Sequence, residues 1–116
     1  MKEHRDFTLF KKEFTKYQRL FGLNGWAIYF KYEPCVEDCM AATYLDFSNL
    51  TATVTLNSEL ADKDKPFKDI KGTAKHEAIH VLLGRLEGEA RFRWATIEGI
   101  RETTEELVHK LLGLIG

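Results

Sequence analysis

Residues 73–89, TAKHEAIHVLLGRLEGE, place His76 and His80 four positions apart, with Glu77 directly after the first histidine. On a helix, the two histidines lie about 40° apart around the axis and one turn apart along it, so their imidazoles can converge on one ion. Glu77 is rotated by about 100° from His76, so its carboxylate can border the ion without binding it. This HExxH spacing is typical of two zinc ligands and a glutamate general base. We therefore predict a zinc cofactor, with His76 and His80 as metal ligands and Glu77 as the catalytic residue.

The residues around this motif favour a functional helix over a surface helix with incidental histidines. A surface helix should be polar, whereas this one carries six apolar residues, Ala74, Ala78, Ile79, Val81, Leu82 and Leu83. We expect it to be buried on more than one side. Ring nitrogens in such a helix need partners, and a shared metal provides one.

A catalytic zinc normally has a third protein ligand and keeps its fourth position for water. Leu83 and Leu86 stand where the extended metzincin motif requires Gly and His, which excludes that form. His4 lies ahead of the first predicted helix, and His109 points away from the apolar centre of the last one. The predicted third ligand is therefore a carboxylate.

The candidate carboxylates all lie on the predicted last helix: Glu98, Glu102, Glu105 and Glu106. At 100° per residue, Glu105 falls about 105° from the centre of the apolar face, beside Val108 and Leu112, and Glu98 falls at about 125°. Glu102 and Glu106 lie beyond about 150°, where a solvated acidic face is the simpler interpretation. Glu105 is the preferred ligand, and the other three remain alternatives.

The elements that must position these residues can be predicted from periodicity. Phe10, Phe14, Tyr17 and Phe21 recur at helical spacing, which predicts a helix from about Asp6 to Phe21. The segments WAIYFKY, MAATYLDF and LTATVTLN read as strands, and their short connections predict an antiparallel three-stranded meander. Pro66 suits the start of the HExxH helix and Gly84 its end, LEGEARFRW reads as irregular, and a final helix extends through Ile115. The order helix, three strands, helix, helix indicates an α+β fold.

Length and composition limit the remaining possibilities. The 116 residues, 44% of them hydrophobic, are enough for one core, so we expect a single domain over residues 1–116. Because 17 Lys and Arg nearly balance 18 Asp and Glu, we expect no nucleic-acid or membrane partner. The chain shows no apolar run of membrane length and no secretory signal, which predicts a cytoplasmic protein. Cys35 and Cys39 are expected to be reduced loop thiols without a separate metal role.

HEAIH on an apolar helix, preceded by a small sheet and followed by a Glu-rich amphipathic helix, resembles the gluzincin-type zinc metallopeptidases. More narrowly, GLNGWAIYFKY, ATVTLN and EELV resemble the minimal zincin-like proteins of phages and bacteria, from Gly22 onward. The resemblance implies that Glu105 is the third ligand and that an edge strand pairs with an extended peptide substrate. It identifies no oxyanion stabiliser, for which Tyr44, Arg101 and His109 are possible donors.

Two functions follow from this reading. The first is a zinc-dependent metallopeptidase acting on a peptide or protein substrate. The alternative is a zinc-binding, zincin-like regulatory or interaction module without turnover. The intact Glu77 favours the enzyme, because a purely structural zinc site has no use for a base beside the metal.

Overall fold

The structure, a computed structural model, describes residues 3–35, 39–92 and 94–114. The chain runs through α1 (Arg5–Leu20), β1 (Ala27–Glu33), β2 (Ala41–Asp46), β3 (Thr51–Asn57), α2 (Ile70–Leu82), α3 (Gly84–Arg91) and α4 (Ile97–Leu112). A short 3-10 turn, Lys65–Phe67, precedes α2. The predicted α+β fold is confirmed. No helix within the described ranges is long and apolar enough to cross a membrane.

Helix α1 buries the aromatic stripe that its sequence predicts. Phe10 and Phe14 are fully buried, and both rings meet Phe30 of β1 edge-on, at centroid distances of 6.3 and 5.3 Å. His4 caps the helix by accepting a hydrogen bond from the Asp6 backbone N–H at 3.1 Å. After Leu20, Gly22 adopts a φ of 67°, a conformation that suits glycine, and the chain turns toward β1.

The sheet is mixed, with strand order β1-β3-β2, so the predicted antiparallel meander is wrong in its topology. Strand β3 is central, running parallel to β1 and antiparallel to β2. The prediction considered only connections between strands that follow each other in sequence. The parallel pair is instead joined through residues 34–50, which include β2 and are long enough for a crossover.

The predicted alternation of the strands is confirmed, and it separates the two faces of the sheet. Ala52, Val54 and Leu56 of β3 are buried on the inner face, and Ile28 and Phe30 of β1 are half-buried beside them. Tyr29 and Tyr44 flank Thr53 on the outer face, where they are 59% and 73% exposed. The inner face therefore meets the helices.

Helix α2 begins later than Pro66 suggests, because Asp69 caps it. The Asp69 carboxylate accepts a hydrogen bond from the Gly72 backbone N–H at 3.0 Å. A Cβ at position 72 would meet this carboxylate, so a larger residue there would require the Asp69 side chain to shift. Gly72 weakens helix propensity but accommodates the cap that starts the helix.

Helix α3 occupies most of the segment predicted to be irregular, so that prediction is wrong. Its two glycines pack closely on neighbouring side chains. A Cβ at Gly84 would lie 2.9 Å from Leu45 Cδ1, and a Cβ at Gly88 would lie 2.7 Å from Phe47 Cδ1. Tertiary packing on the β2–β3 hairpin thus outweighs the low helix propensity of glycine.

Helix α4 starts at a Thr96 cap, whose hydroxyl accepts a hydrogen bond from the Gly99 backbone N–H at 2.9 Å. Leu107 is buried, whereas Val108 and Leu112 of the predicted apolar face are exposed. Lys110 donates a hydrogen bond to the Gly22 backbone oxygen at 3.1 Å, which ties α4 to the turn after α1. The predicted end at Ile115 lies outside the described residues.

Replacing Phe14 with Ala should destabilise the fold strongly. The substitution removes a fully buried ring between α1 and the sheet, for an expected loss of about 3–5 kcal/mol in the free energy of unfolding. The matched control is Phe67→Ala, which removes the same atoms from a side chain that is 72% exposed and should cost about 0.5 kcal/mol or less. Urea unfolding followed by circular dichroism measures both. Equal losses would contradict the assigned core.

Candidate metal centre

The packing of α2 sets the direction of each side chain in the HEAIH motif. Its buried residues lie along one side of the helix, and they are Ala74, Glu77, Ala78, Val81 and Leu82. His76 and His80 lie on the opposite side, together with Ile79, which is 38% exposed. The expectation of burial on more than one side is therefore wrong. The helix presents both imidazoles to solvent and turns Glu77 inward.

The two imidazoles converge as predicted. Their Nε2 atoms lie 3.2 Å apart, and the ring centroids are separated by 4.9 Å with an interplanar angle of 64°. Two tetrahedral zinc ligands with Zn–N distances of 2.0–2.1 Å have their nitrogens about 3.3 Å apart. The observed separation of the two nitrogens fits a shared zinc ion.

Glu77 lies beside this pair and is only 4% exposed. Its Oε1 accepts a hydrogen bond from Thr43 Oγ1 at 2.9 Å, and its Oε2 lies 3.8 Å from His76 Nε2. A buried carboxylate is costly unless it is hydrogen-bonded and paired with opposite charge, and a divalent cation at the imidazoles would supply that charge. Within the described ranges, His76, Glu77 and His80 form the one group of three or more potential metal ligands, with ligand atoms within 4.8 Å of one another.

Thr43 is a member of the site that the sequence reading missed. It lies on β2 opposite Val54 of β3, on the inner face of the sheet. The signal that could have identified it is a polar residue between Ala41 and Leu45 on the apolar side of MAATYLDF. A hydroxyl on an inward-facing strand position needs a hydrogen-bond partner, and Glu77 is that partner.

The structure does not bring Glu105 into this group. The Glu105 side chain is 70% exposed, and its Oε2 lies 3.9 Å from His109 Nε2, one turn along α4. Glu106 instead pairs with Arg85 at 3.0 Å, and both Glu98 and Glu102 are exposed. The assignment of the third ligand to Glu105 therefore stays a prediction.

The possible oxyanion donors do not converge on the site either. Tyr44 faces the outer side of the sheet, because neighbouring strand residues point to opposite faces and Thr43 points inward. His109 lies beside Glu105 and is 76% exposed, and Arg101 is exposed on α4. The structure therefore supports none of the three as a donor.

Cys35 and Cys39 are free thiols near Glu77. Burial raises the pKa of Cys35 to about 12, and a hydrogen bond with Cys39 and the charges of Cys39, Glu77 and Glu33 add to the increase. The Asn57 side chain forms hydrogen bonds with the backbone of both cysteines. Its Oδ1 accepts from the Cys35 N–H at 3.3 Å, and its Nδ2 donates to the Cys39 carbonyl oxygen at 2.7 Å. The Cys35 thiol is therefore protonated at neutral pH.

A groove of about 400 Å³ borders the site. Its walls come from the start of β2, the 3-10 turn and the first turns of α2, and its lining includes Met40, Ala41, Phe67, His76 and Glu77. Strand β2 is an edge strand of the sheet and contacts α2. Two members of the group, His76 and Glu77, therefore border a groove that begins beside the first residues of β2.

Comparison of the chain with protein-family models, with curated proteins and with solved structures finds no match. The assignment of a function therefore depends on the chemistry of the site. The residues that carry it are the converging histidines and the buried glutamate beside them.

Replacing Glu105 with Gln should weaken zinc binding if Glu105 is the third ligand. The amide keeps the size of the side chain but removes the anionic oxygen, and we expect a loss in zinc affinity of about tenfold or more. Glu106→Gln is the matched control, because Glu106 pairs with Arg85, and it should leave the affinity within about twofold. Competition titration with a chromogenic chelator measures both. An unchanged affinity for Glu105→Gln would refute the assignment.

Proposed function

We propose that this chain is a zinc-dependent metallopeptidase that hydrolyses peptide bonds with Glu77 as general base. The observation that carries the proposal is the approach of the two Nε2 atoms to 3.2 Å beside a carboxylate that is 4% exposed. This arrangement agrees with the resemblance of HEAIH to gluzincin-type enzymes. His76, His80 and, as the third ligand, Glu105 would hold the zinc ion.

The chemistry follows from this set of ligands. When bound, zinc lowers the pKa of a water molecule toward neutrality and polarises the scissile carbonyl. Glu77 accepts the proton of the attacking water and delivers it to the leaving amine. The hydrogen bond from Thr43 to Oε1 fixes the carboxylate and leaves Oε2 on the side of His76, where a proton can be exchanged.

Strand β2 is the proposed site of substrate binding. Its inner neighbour is β3, and no other strand within the described ranges pairs with its second edge, where an extended peptide can form main-chain hydrogen bonds. The strand also supplies Thr43 to the site and borders the groove at Ala41. A peptide added along β2 would therefore pass in front of Glu77 and the histidines. The location that we propose for the enzyme is the cytoplasm, where Cys35 and Cys39 would stay reduced.

Replacing Glu77 with Gln should remove activity while sparing the metal. The amide cannot accept the proton of water, and we expect kcat to fall by about 10²–10⁴-fold with zinc affinity retained. His80→Ala should abolish both zinc binding and activity, whereas Glu87→Gln, an exposed carboxylate on α3, should change neither. The assay is cleavage of a mixed peptide library by zinc-loaded protein, with and without a chelator, followed by mass spectrometry.

One outcome would contradict the role of Glu77, and another would contradict the peptidase activity itself. Parent-like cleavage by Glu77→Gln would refute the general base. Zinc binding by the parent protein without any chelator-sensitive cleavage would favour the alternative, a zinc-binding module without turnover.

Thr43 should affect catalysis through the position of Glu77. Thr43→Val keeps the β-branched shape but removes the donor to Oε1, so kcat should fall by about tenfold or more while KM changes little. Thr43→Ser restores a hydroxyl and should recover most of the rate. A parallel zinc titration separates this effect from metal loss. If Thr43→Ser were as slow as Thr43→Val, the hydrogen bond would have no role in turnover.

A further inference from the structure

A second cavity, of about 340 Å³, lies next to the groove that borders the histidines. Its walls come from the start of α1, the C-terminal ends of β1 and β3, and the segment that leads into α2. A volume of this size is typical of sites that take a small ligand or a side chain. The cavity plays no part in the proton transfer assigned to Glu77.

The charged side chains that line this cavity are predominantly basic. Arg5, Lys65 and Lys68 line it, against one lining carboxylate, that of Asp6. Lys68 pairs with Asp6 at 2.8 Å, and this hydrogen bond holds the pKa of Asp6 below its usual value. Asp6 is therefore neutralised within the cavity wall, and positive charge remains for a ligand.

The other two cations are available to an anion. Lys65 pairs with Asp62 at 2.7 Å, but both side chains are largely exposed, so the pair is weak and easily exchanged. Arg5 lies in the first turn of α1, where a cation gains nothing from the helix dipole. His4 adds a donor, because its Nδ1 accepts from the Asp6 N–H and the neutral ring must then carry its proton on Nε2.

The rest of the lining is mostly apolar, and its uncharged polar residues are Asn57, Ser58 and Thr73. Tyr32, Met40, Leu56, Leu60 and Ile70 form its apolar part, and the Tyr32 ring stacks on Phe7 at 5.2 Å. A bare inorganic anion would leave this apolar surface unfilled. The lining is instead complementary to a ligand with a hydrocarbon body and one negative group.

Met40 and Thr73 line both this cavity and the groove beside His76 and Glu77. Met40 immediately precedes β2, the strand proposed to pair with substrate. A peptide that lies along β2 and continues past its N-terminal end therefore reaches the basic cavity.

We propose that this cavity is a specificity subsite of the enzyme, which accepts a substrate residue carrying a carboxylate on an apolar body. The inference rests on the proposed peptidase function and names its preferred substrate class. The carboxylate comes either from an acidic side chain or from the free C-terminus of the peptide, and Arg5 and Lys65 bind it.

Binding is tested first, on metal-free protein, so that a probe carboxylate cannot bind zinc instead. Two probe pairs are titrated into the ¹⁵N-labelled full chain: N-acetyl-leucine against N-acetyl-leucinamide, and N-acetyl-glutamic acid α-amide against N-acetyl-glutamine amide. In at least one pair the carboxylate should bind about tenfold more tightly than its neutral partner, with shift changes at Tyr32, Leu56 and Thr73. The pair that shows the preference identifies the source of the carboxylate.

Charge removal then tests the assigned cations. Arg5→Gln and Lys65→Gln should each weaken binding of the preferred probe by about threefold or more, and the double variant by about tenfold or more. Lys71→Gln is the charge-matched control, because Lys71 is exposed on α2 and does not line the cavity. The proposal is overturned if neutral probes bind equally well, if no lining residue shifts, or if Lys71→Gln weakens binding as much as Lys65→Gln.

Cleavage of a peptide library by zinc-loaded protein separates this proposal from the peptidase itself. The subsite is supported if the cleaved peptides are enriched in a carboxylate at one fixed distance from the cleaved bond. Lys65→Gln should reduce this enrichment. Cleavage without such a preference overturns the subsite and leaves the peptidase standing. Probe binding without any cleavage contradicts the peptidase and supports the cavity as a carboxylate-binding site.

Discussion

The packing of α2 against α1 and the inner face of the sheet is the constraint on which the rest of the site depends. Ala74 and Ala78 are fully buried, and such small side chains let the helix approach its neighbours closely. This packing sets the rotation of α2 about its axis. With the rotation set, His76 and His80 face the open side, and Glu77 is carried inward to Thr43. A rotation by one residue position in one sense would place both histidines at the buried positions of Glu77 and Val81. A rotation in the other sense would place Glu77 at the exposed position of His76.

Periodicity was sufficient to predict α1, the three strands, and the location of α2 and α4 to within a few residues. It was insufficient wherever tertiary contacts decide the outcome. The parallel pairing of β1 with β3 depends on which strands become neighbours, and alternation within a strand does not encode that choice. Helix α3 forms where Gly84 and Gly88 pack on the β2–β3 hairpin. Local helix propensity does not include the stabilisation that comes from this packing.

In the candidate site, too, contacts within one element were predictable from the sequence, and contacts between elements were not. His76, Glu77 and His80 belong to one helix, so their spacing was enough to predict their convergence. Thr43 reaches Glu77 from a different element, and a sequence reading of α2 alone could not detect it. The proposed third ligand would also come from another element. Helical phase ranked Glu105 by its angle from an apolar face. Val108 and Leu112 of that face are exposed, so the angle is a poor guide to where α4 packs.

The central position of β3 has a consequence for the order of assembly. The β2–β3 hairpin has short-range contacts and can form early, whereas β1 must wait for β3 because it pairs with no other strand. During synthesis, the sheet is therefore incomplete until residue 57 has left the ribosome, and α2 emerges only afterwards. We expect the HEAIH segment to meet an already formed sheet, so that Glu77 reaches Thr43 only late in synthesis.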